Sequence, residues 1–464
     1  MAAAEDMKNT LNLCFLLLLS AAIGCSSSSD TAGTGGAGGE GGGAGVGGTS
    51  GTGGGAGAGG TGGTSGVGGT GAMGGGGGTG GIVPGNCHSS VPGRLSDWGL
   101  FADIRNQIPA DGVVPFEVTS PLFTDYALKR RFVTLTDGGQ IEYFNDTMRW
   151  ESPPGTIYIK TFAYPPNEND PDNGGLEQLI ETRLMVHKTA EEDRLGCSGE
   201  ASCWDVHVYV YNEDQTDAIC EAGGVTKSVT FTDPLAAEQV TIDSYRVPSN
   251  GECRQCHGPP PGTRTLGPST GMFNRGNDYQ GNMVENQVDA LYDAGWLAPE
   301  PPLFDMRTTF PEPIALIDGC QTPACYHEAA RSWLNMNCSH CHAPDGEIDD
   351  QGVFLDYASM DPINATFAEF TSWGVCRTPT SAGNLTDACR FKPVDIWPGD
   401  PDNSILLCRL ESVIPGEMMP TLGRSVVDEQ AVAIIRQWII DLPTLFPDLP
   451  QLFDLAECVP QPTN

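Results

Sequence analysis

Trp204-Asp205-Val206-His207-Val208-Tyr209-Val210-Tyr211 is the stretch on which the fold class turns. Trp204, Val206, Val208 and Val210 fall on one face and His207, Tyr209 and Tyr211 on the other, which is the two-residue period of a strand. Phe132-Val133-Thr134-Leu135 and Thr156-Ile157-Tyr158-Ile159-Lys160-Thr161-Phe162 have the same character, rich in β-branched and aromatic residues. Asp137-Gly138-Gly139 and Asp172-Asn173-Gly174-Gly175 supply turn chemistry between such runs. A twisted, mainly antiparallel sheet is expected from Arg131 to about Val247.

Upstream, Leu95 to Phe101 and Val113-Val114-Pro115-Phe116 are apolar but punctuated by Pro and Gly, so they read as loops wrapped over a later core. Earlier still, much of the chain's unusual glycine content, 61 of 464 residues, lies between Thr31 and Gly81 among Ala, Ser and Thr. Such a segment has too little apolar surface to offset the entropy of ordering and reads as a flexible tether of roughly 40 Å r.m.s. reach.

Downstream of Pro248 the pattern changes to helices. Met283 to Trp296 is helical in character, a Pro-rich connection covers Pro299 to Pro313, and Pro323 to Asn337 predicts a helix with Trp333 and Leu334 inward. Ala431, Ile434, Ile435, Trp438 and Ile439 form the clearest helical stripe, with Asp428 and Glu429 in the first turn.

The helical part carries C-x-x-C-H twice, at Cys253-Arg254-Gln255-Cys256-His257 and Cys338-Ser339-His340-Cys341-His342. Two thiols at this spacing reach the two vinyl groups of one porphyrin, and the adjacent His is held beneath the iron as axial ligand. Zinc is the competing reading, but zinc pairs sit closer together and do not call for a His after each. The expected cofactors are therefore two covalently bound haem c groups, on Cys253 and Cys256 with His257 proximal, and on Cys338 and Cys341 with His342 proximal. For the first haem, Met272, Met283, Met306, His207, His327 and His340 all remain candidates for the sixth ligand, and the position could be open.

Glu417-Met418-Met419-Pro420 lies between the second motif and the last helix. An N-terminal helix, C-x-x-C-H, a Met-Pro loop and a C-terminal aromatic-bearing helix resemble the class I cytochrome c module. That resemblance makes Met419 the distal ligand of the second iron, with Met418 as fallback. From about Arg94 the chain also resembles bacterial di-haem c-type cytochromes with a β-rich N-terminal region. The resembling stretches include Pro121-Leu122-Phe123-Thr124-Asp125-Tyr126, Glu181-Thr182-Arg183-Leu184, Tyr211 to Ala218 and Leu334 to His342. It implies two covalent haems and export, and supplies no substrate.

The expected fold class is α+β: a β-rich, mainly antiparallel N-terminal domain followed by α-helical, cytochrome c-like haem domains. The divisions are 1–24, a signal peptide; 25–84, a lipid-anchored linker; 85–247, the β-rich domain; 248–315, the first haem region; and 316–464, the class I-like domain. Lys8, the apolar run Leu11 to Ile23 and the small residues before Cys25 read as an export signal. Ala22-Ile23-Gly24-Cys25 resembles a bacterial lipobox, which makes Cys25 the lipidation site. The expected location is the bacterial cell envelope, outer membrane or periplasm-facing, with membrane contact through the lipid alone.

Formal net charge is -35 at pH 7, which argues against nucleic acid and against adsorption to anionic lipid. Of 16 cysteines, those outside the signal, the lipid site and the haem motifs number ten, an even count that fits disulfides in an oxidising compartment. Cys197 with Cys203, Cys320 with Cys325 and Cys376 with Cys389 are near enough in sequence to close short loops. Lys129-Arg130-Arg131 is a dense cationic cluster suited to haem propionates or simply to a solvated strand start. Asn169 to Gly174 lacks the spacing of a calcium loop and reads as a turn. Cys87-His88 lacks the upstream Cys of a haem motif.

Taken together these features predict an electron carrier rather than an enzyme, working with a redox partner protein. Two other readings stand beside it: a peroxidase-like or dehydrogenase-type enzyme with an open first haem, and a β-domain binding module with attached haems.

Overall fold

The computed structural model describes Cys87 and residues 91–461, apart from 147–148, 170–174, 189–203, 234–236, 259–262, 280–283, 313–318, 345, 349–351, 362–364 and 380–384. The signal, Cys25, the tether, Cys197 with Cys203, Met283 and all but the first residue of Asn169 to Gly174 lie outside these residues.

Six strands form one sheet in chain order: β1 (Val114–Pro115), β2 (Leu128–Thr134), β3 (Ile157–Tyr164), β4 (Gln178–His187), β5 (Trp204–Tyr211) and β6 (Ala218–Cys220). Every neighbouring pair is antiparallel. A separate hairpin follows, β7 (Val225–Thr232) with β8 (Gln239–Val247). The alternation along β5 is realised in burial. Trp204, Val206 and Val208 enter a core with Val133, Tyr158, Phe162 and Met185, whereas Tyr209 and Tyr211 join Phe132, Ile159 and Leu184 on the opposite face. Leu95, Leu100 and Val113 cover that second face, and the Cys87–Cys220 disulfide fastens the start of the covering segment to β6.

The first face continues into the rest of the chain. Cys253, Met272, Phe273, Val288, Leu291 and Met336 belong to the same apolar cluster as the strands. The helices are α1 (Asn250–His257), α2 (Gln287–Asp293), α3 (Pro323–Asn337), α4 (Phe367–Ser372), α5 (Ile405–Glu411) and α6 (Glu429–Leu445), with shorter turns between. The fold is thus α+β, and the described residues belong to one compact unit. Among them no helix is long and apolar enough to cross a membrane.

Local chemistry sets the helix ends. Ser249 and Glu252 form a reciprocal capping box on α1, and Thr322 caps α3 with Pro323 in its first turn. Asp428 accepts from the Ala431 amide at the start of α6, whose buried stripe of Ala431, Ile434, Ile435, Trp438, Ile439 and Leu442 packs on α3. Pro443 cannot donate to the Ile439 carbonyl one turn back. The Gly399 amide donates to it instead, at 2.8 Å, which lets the helix run on.

Cys320 pairs with Cys325 as expected. The expected Cys376–Cys389 pair does not form: Cys376 bonds Cys458 and Cys389 bonds Cys408. Packing brings the end of the chain onto Cys376 and α5 onto Cys389, and sequence proximity carries no information about either.

The two regions are joined by a buried carboxylate. Asp125 accepts from the Ser425 amide at 2.6 Å, the Ser425 hydroxyl at 2.9 Å and the Val426 amide at 3.0 Å.

Candidate haem sites

The second C-x-x-C-H begins where α3 ends. Cys338 is the C-cap, its amide still donating to the Leu334 carbonyl at 2.8 Å, and the His342 amide donates to the Cys338 carbonyl at 2.8 Å. This tight turn carries Cys338, Cys341 and His342 to the wall of a cavity of about 410 Å³, within the ~300–1,000 Å³ range of small-molecule and cofactor sites. Leu355, Trp373, Ile396, Ile405 and Leu410 give it an apolar lining, and Met419 with Pro420 completes it.

Met419, not Met418, lines this cavity. Its position is held by backbone bonds: the Met419 amide donates to the Arg409 carbonyl at 3.0 Å, and its carbonyl accepts from Arg424 Nε at 3.1 Å and Nη2 at 2.8 Å. Glu417 fixes the preceding turn by accepting from the Thr386 amide at 2.6 Å and the Ser412 hydroxyl at 2.7 Å.

His342 Nδ1 lies 3.2 Å from the Val353 carbonyl, and His257 Nδ1 lies 2.7 Å from the Arg264 carbonyl. A carbonyl can only accept, so Nδ1 is the protonated nitrogen in each ring and the Nε2 lone pair is left for a metal. Burial pushes both imidazoles toward the neutral form, His257 to about 3.

At the first motif, α1 holds Cys253 and His257 buried against the sheet core and leaves Cys256 half-buried. Cys256, Cys338 and Cys341 are free thiols, whereas Cys253 is disulfide-bonded. A sulfur in a disulfide cannot also form a thioether, so the expected haem attachment at Cys253 and this disulfide exclude each other. The residues present therefore fit a covalent haem at the second motif and fit one at the first only with Cys253 released.

The two motifs meet. Cys256 Sγ, Cys341 Sγ and a ring nitrogen of His340 all lie within 4.8 Å of one another. A hydrogen bond from Cys256 holds the Cys341 thiol below the ordinary thiol range, with His340 adding to the effect. His340 Nδ1 is buried without a hydrogen-bond partner, and His340 shares a cavity of about 300 Å³ with Met272. The other candidate ligands lie elsewhere. His327 accepts from Trp438 Nε1 at 3.0 Å, the His207 ring sits 5.8 Å from that of Trp98, and Met306 is exposed.

The Lys129-Arg130-Arg131 cluster divides. Arg130 turns to Glu177 at 2.5 Å, while Lys129 and Arg131 are buried on the other face of β2. There they meet Lys160 and Arg183, which lie in stretches quoted above but which the sequence does not connect to this cluster.

Comparison with protein-family models, with curated proteins and with solved structures found no match to this chain.

Proposed function

We propose that this chain is a di-haem c-type cytochrome carrying electrons at the bacterial cell envelope. The observation that carries the reading is that Cys338, Cys341, His342 and Met419 line one largely apolar cavity. Those are two thiols that would become thioethers to the porphyrin, an imidazole with its Nε2 free and the Met419 sulfur, the last two being the axial ligand set of a His/Met haem. A haem bound there supplies a one-electron iron couple of raised potential with no open position. His342 is oriented by Val353 and Met419 by Arg409 and Arg424, so this chain presents both ligands without searching for them.

For the first haem, His257 is the proximal ligand, and His340 and Met272 are the distal candidates the packing favours. Cys256 beside Cys341 offers a short route between the two groups. Export, lipidation at Cys25 and a redox partner protein complete the proposal, on the sequence features described above.

The test is a pyridine haemochrome count on exported protein with a reductive titration under carbon monoxide. Two covalent haems are expected, the first on condition that Cys253 is released from its disulfide or that Cys256 alone makes the attachment, and the second is expected to ignore carbon monoxide. Mature protein without covalent haem would sink the reading.

One observation favours a second reading. Cys256, His340 and Cys341 form a three-donor cluster that suits zinc. Stoichiometric zinc with free Cys338 in the exported protein would establish it.

A further inference from the structure

The first face of the sheet carries an unusual row of charge. Register places Arg131 of β2 opposite Lys160 of β3, and Lys160 opposite Arg183 of β4, while Lys129 stands one pair along, opposite Phe162 and then Glu181. All four cations are buried; Arg131 and Lys160 are each 1% exposed. Arg183 has a partner, a bidentate pair to Glu181 at 2.7 and 2.8 Å, and Glu181 also accepts from the Tyr245 hydroxyl at 2.7 Å. Lys129 feels Asp125 and Asp428. Arg131 feels Glu117 but makes no ion pair with it, and its Nε and Nη2 are buried without partners. Lys160 has no carboxylate within ion-pair distance among the described residues; its ammonium lies 4.4 Å from the centre of the Phe162 ring.

A buried cation without a counter-charge is either held at a large cost or gives up its proton, and burial pushes Lys160 well below the ordinary lysine range. Here two stand side by side, in a row whose one carboxylate is already engaged. We propose that Lys160 and Arg131 form a carboxylate-binding site whose ligand presents two carboxylates to them. Arg131 also lines a cavity of about 550 Å³ with Arg130, Phe116, Phe132 and Leu179; Glu117 and Glu177 share that wall and Lys160 does not, so a ligand in the cavity meets Arg131 first. On its other flank the row reaches the first motif: Lys160 and Arg183 both act electrostatically on His257.

The same chemistry has two sources. One is the propionate pair of a haem on Cys256 and His257, which rests on the proposed function. The other is a free dicarboxylate entering through the 550 Å³ cavity.

Lys160→Met in the full exported chain separates them, with Lys160→Gln as a second variant should the first fail to fold. Haem is counted, reduction potentials are titrated, and melting is followed with and without millimolar succinate. From the propionate source, the haem count stays at the wild-type value, one potential falls because a nearby positive charge is gone, and succinate changes nothing. From the free source, wild-type melting rises with succinate, the rise vanishes in the variant, and potentials hold. A variant with unchanged potentials, beside a wild type that ignores succinate, overturns the proposal. A wild type without haem removes the cytochrome reading alone, and the succinate comparison still decides this one.

Discussion

Cys256 Sγ lies within 4.8 Å of Cys341 Sγ, although one lies on α1 and the other beyond α3. Two free thiols this close join when an external disulfide oxidant forms a mixed disulfide with one and the other, as thiolate, displaces it, the oxidant leaving as its dithiol with both electrons. Protein exported without haem attachment is therefore expected to form a Cys256–Cys341 disulfide, seen by peptide mapping without reduction. Haem-loaded protein should yield no such peptide, because both sulfurs are then thioethers.

Met419 lines the 410 Å³ cavity and Met418 does not. Met419→Ala should abolish a Met-to-iron charge-transfer band and lower the potential of one haem, while Met418→Ala keeps both. Equal effects of the two substitutions, read by absorption and potentiometry, would contradict the assignment.

Asp125 answers three donors at 425–426 from inside the protein. Asp125→Ala leaves the Ser425 and Val426 amides without partners, at a cost of about 2–4 kcal/mol. Urea unfolding of the variant should show a lower midpoint, and Asp125→Asn, which retains an acceptor, should fall between it and the wild type.

Burial raises the Glu117 carboxyl to about 8 from its ordinary 4.5. The folded form therefore binds this proton more tightly than the unfolded form. Its contribution is fully present below pH 4.5 and is lost as pH rises toward 8. Glu117→Gln cannot ionise, so its melting temperature should exceed that of the wild type most at the alkaline end of this window, with the gap closing on acidification.

Local patterns were readable where local forces decide the outcome. The period of β5 and the extent of α3 follow from neighbouring residues, and both stand as expected. The Lys129–Arg131 cluster looked like a single feature, yet strand alternation sends Arg130 away from its neighbours. Lys160 and Arg183 join that row only through register, which one sequence does not reveal. His340 was one of six equal candidates until packing set it beside Cys256. The Cys376–Cys458 bond likewise depends on where the chain end docks.

Cys87 is covalently tied to β6 through Cys220. A mechanical pull on the chain before Cys87 is therefore transmitted along a sulfur bridge into the edge of the sheet. Leu95, Leu100 and Val113, which cover one sheet face, are bypassed by that load. The body can be dragged by its leading end without that cover being peeled away, so long as the bridge stays oxidised.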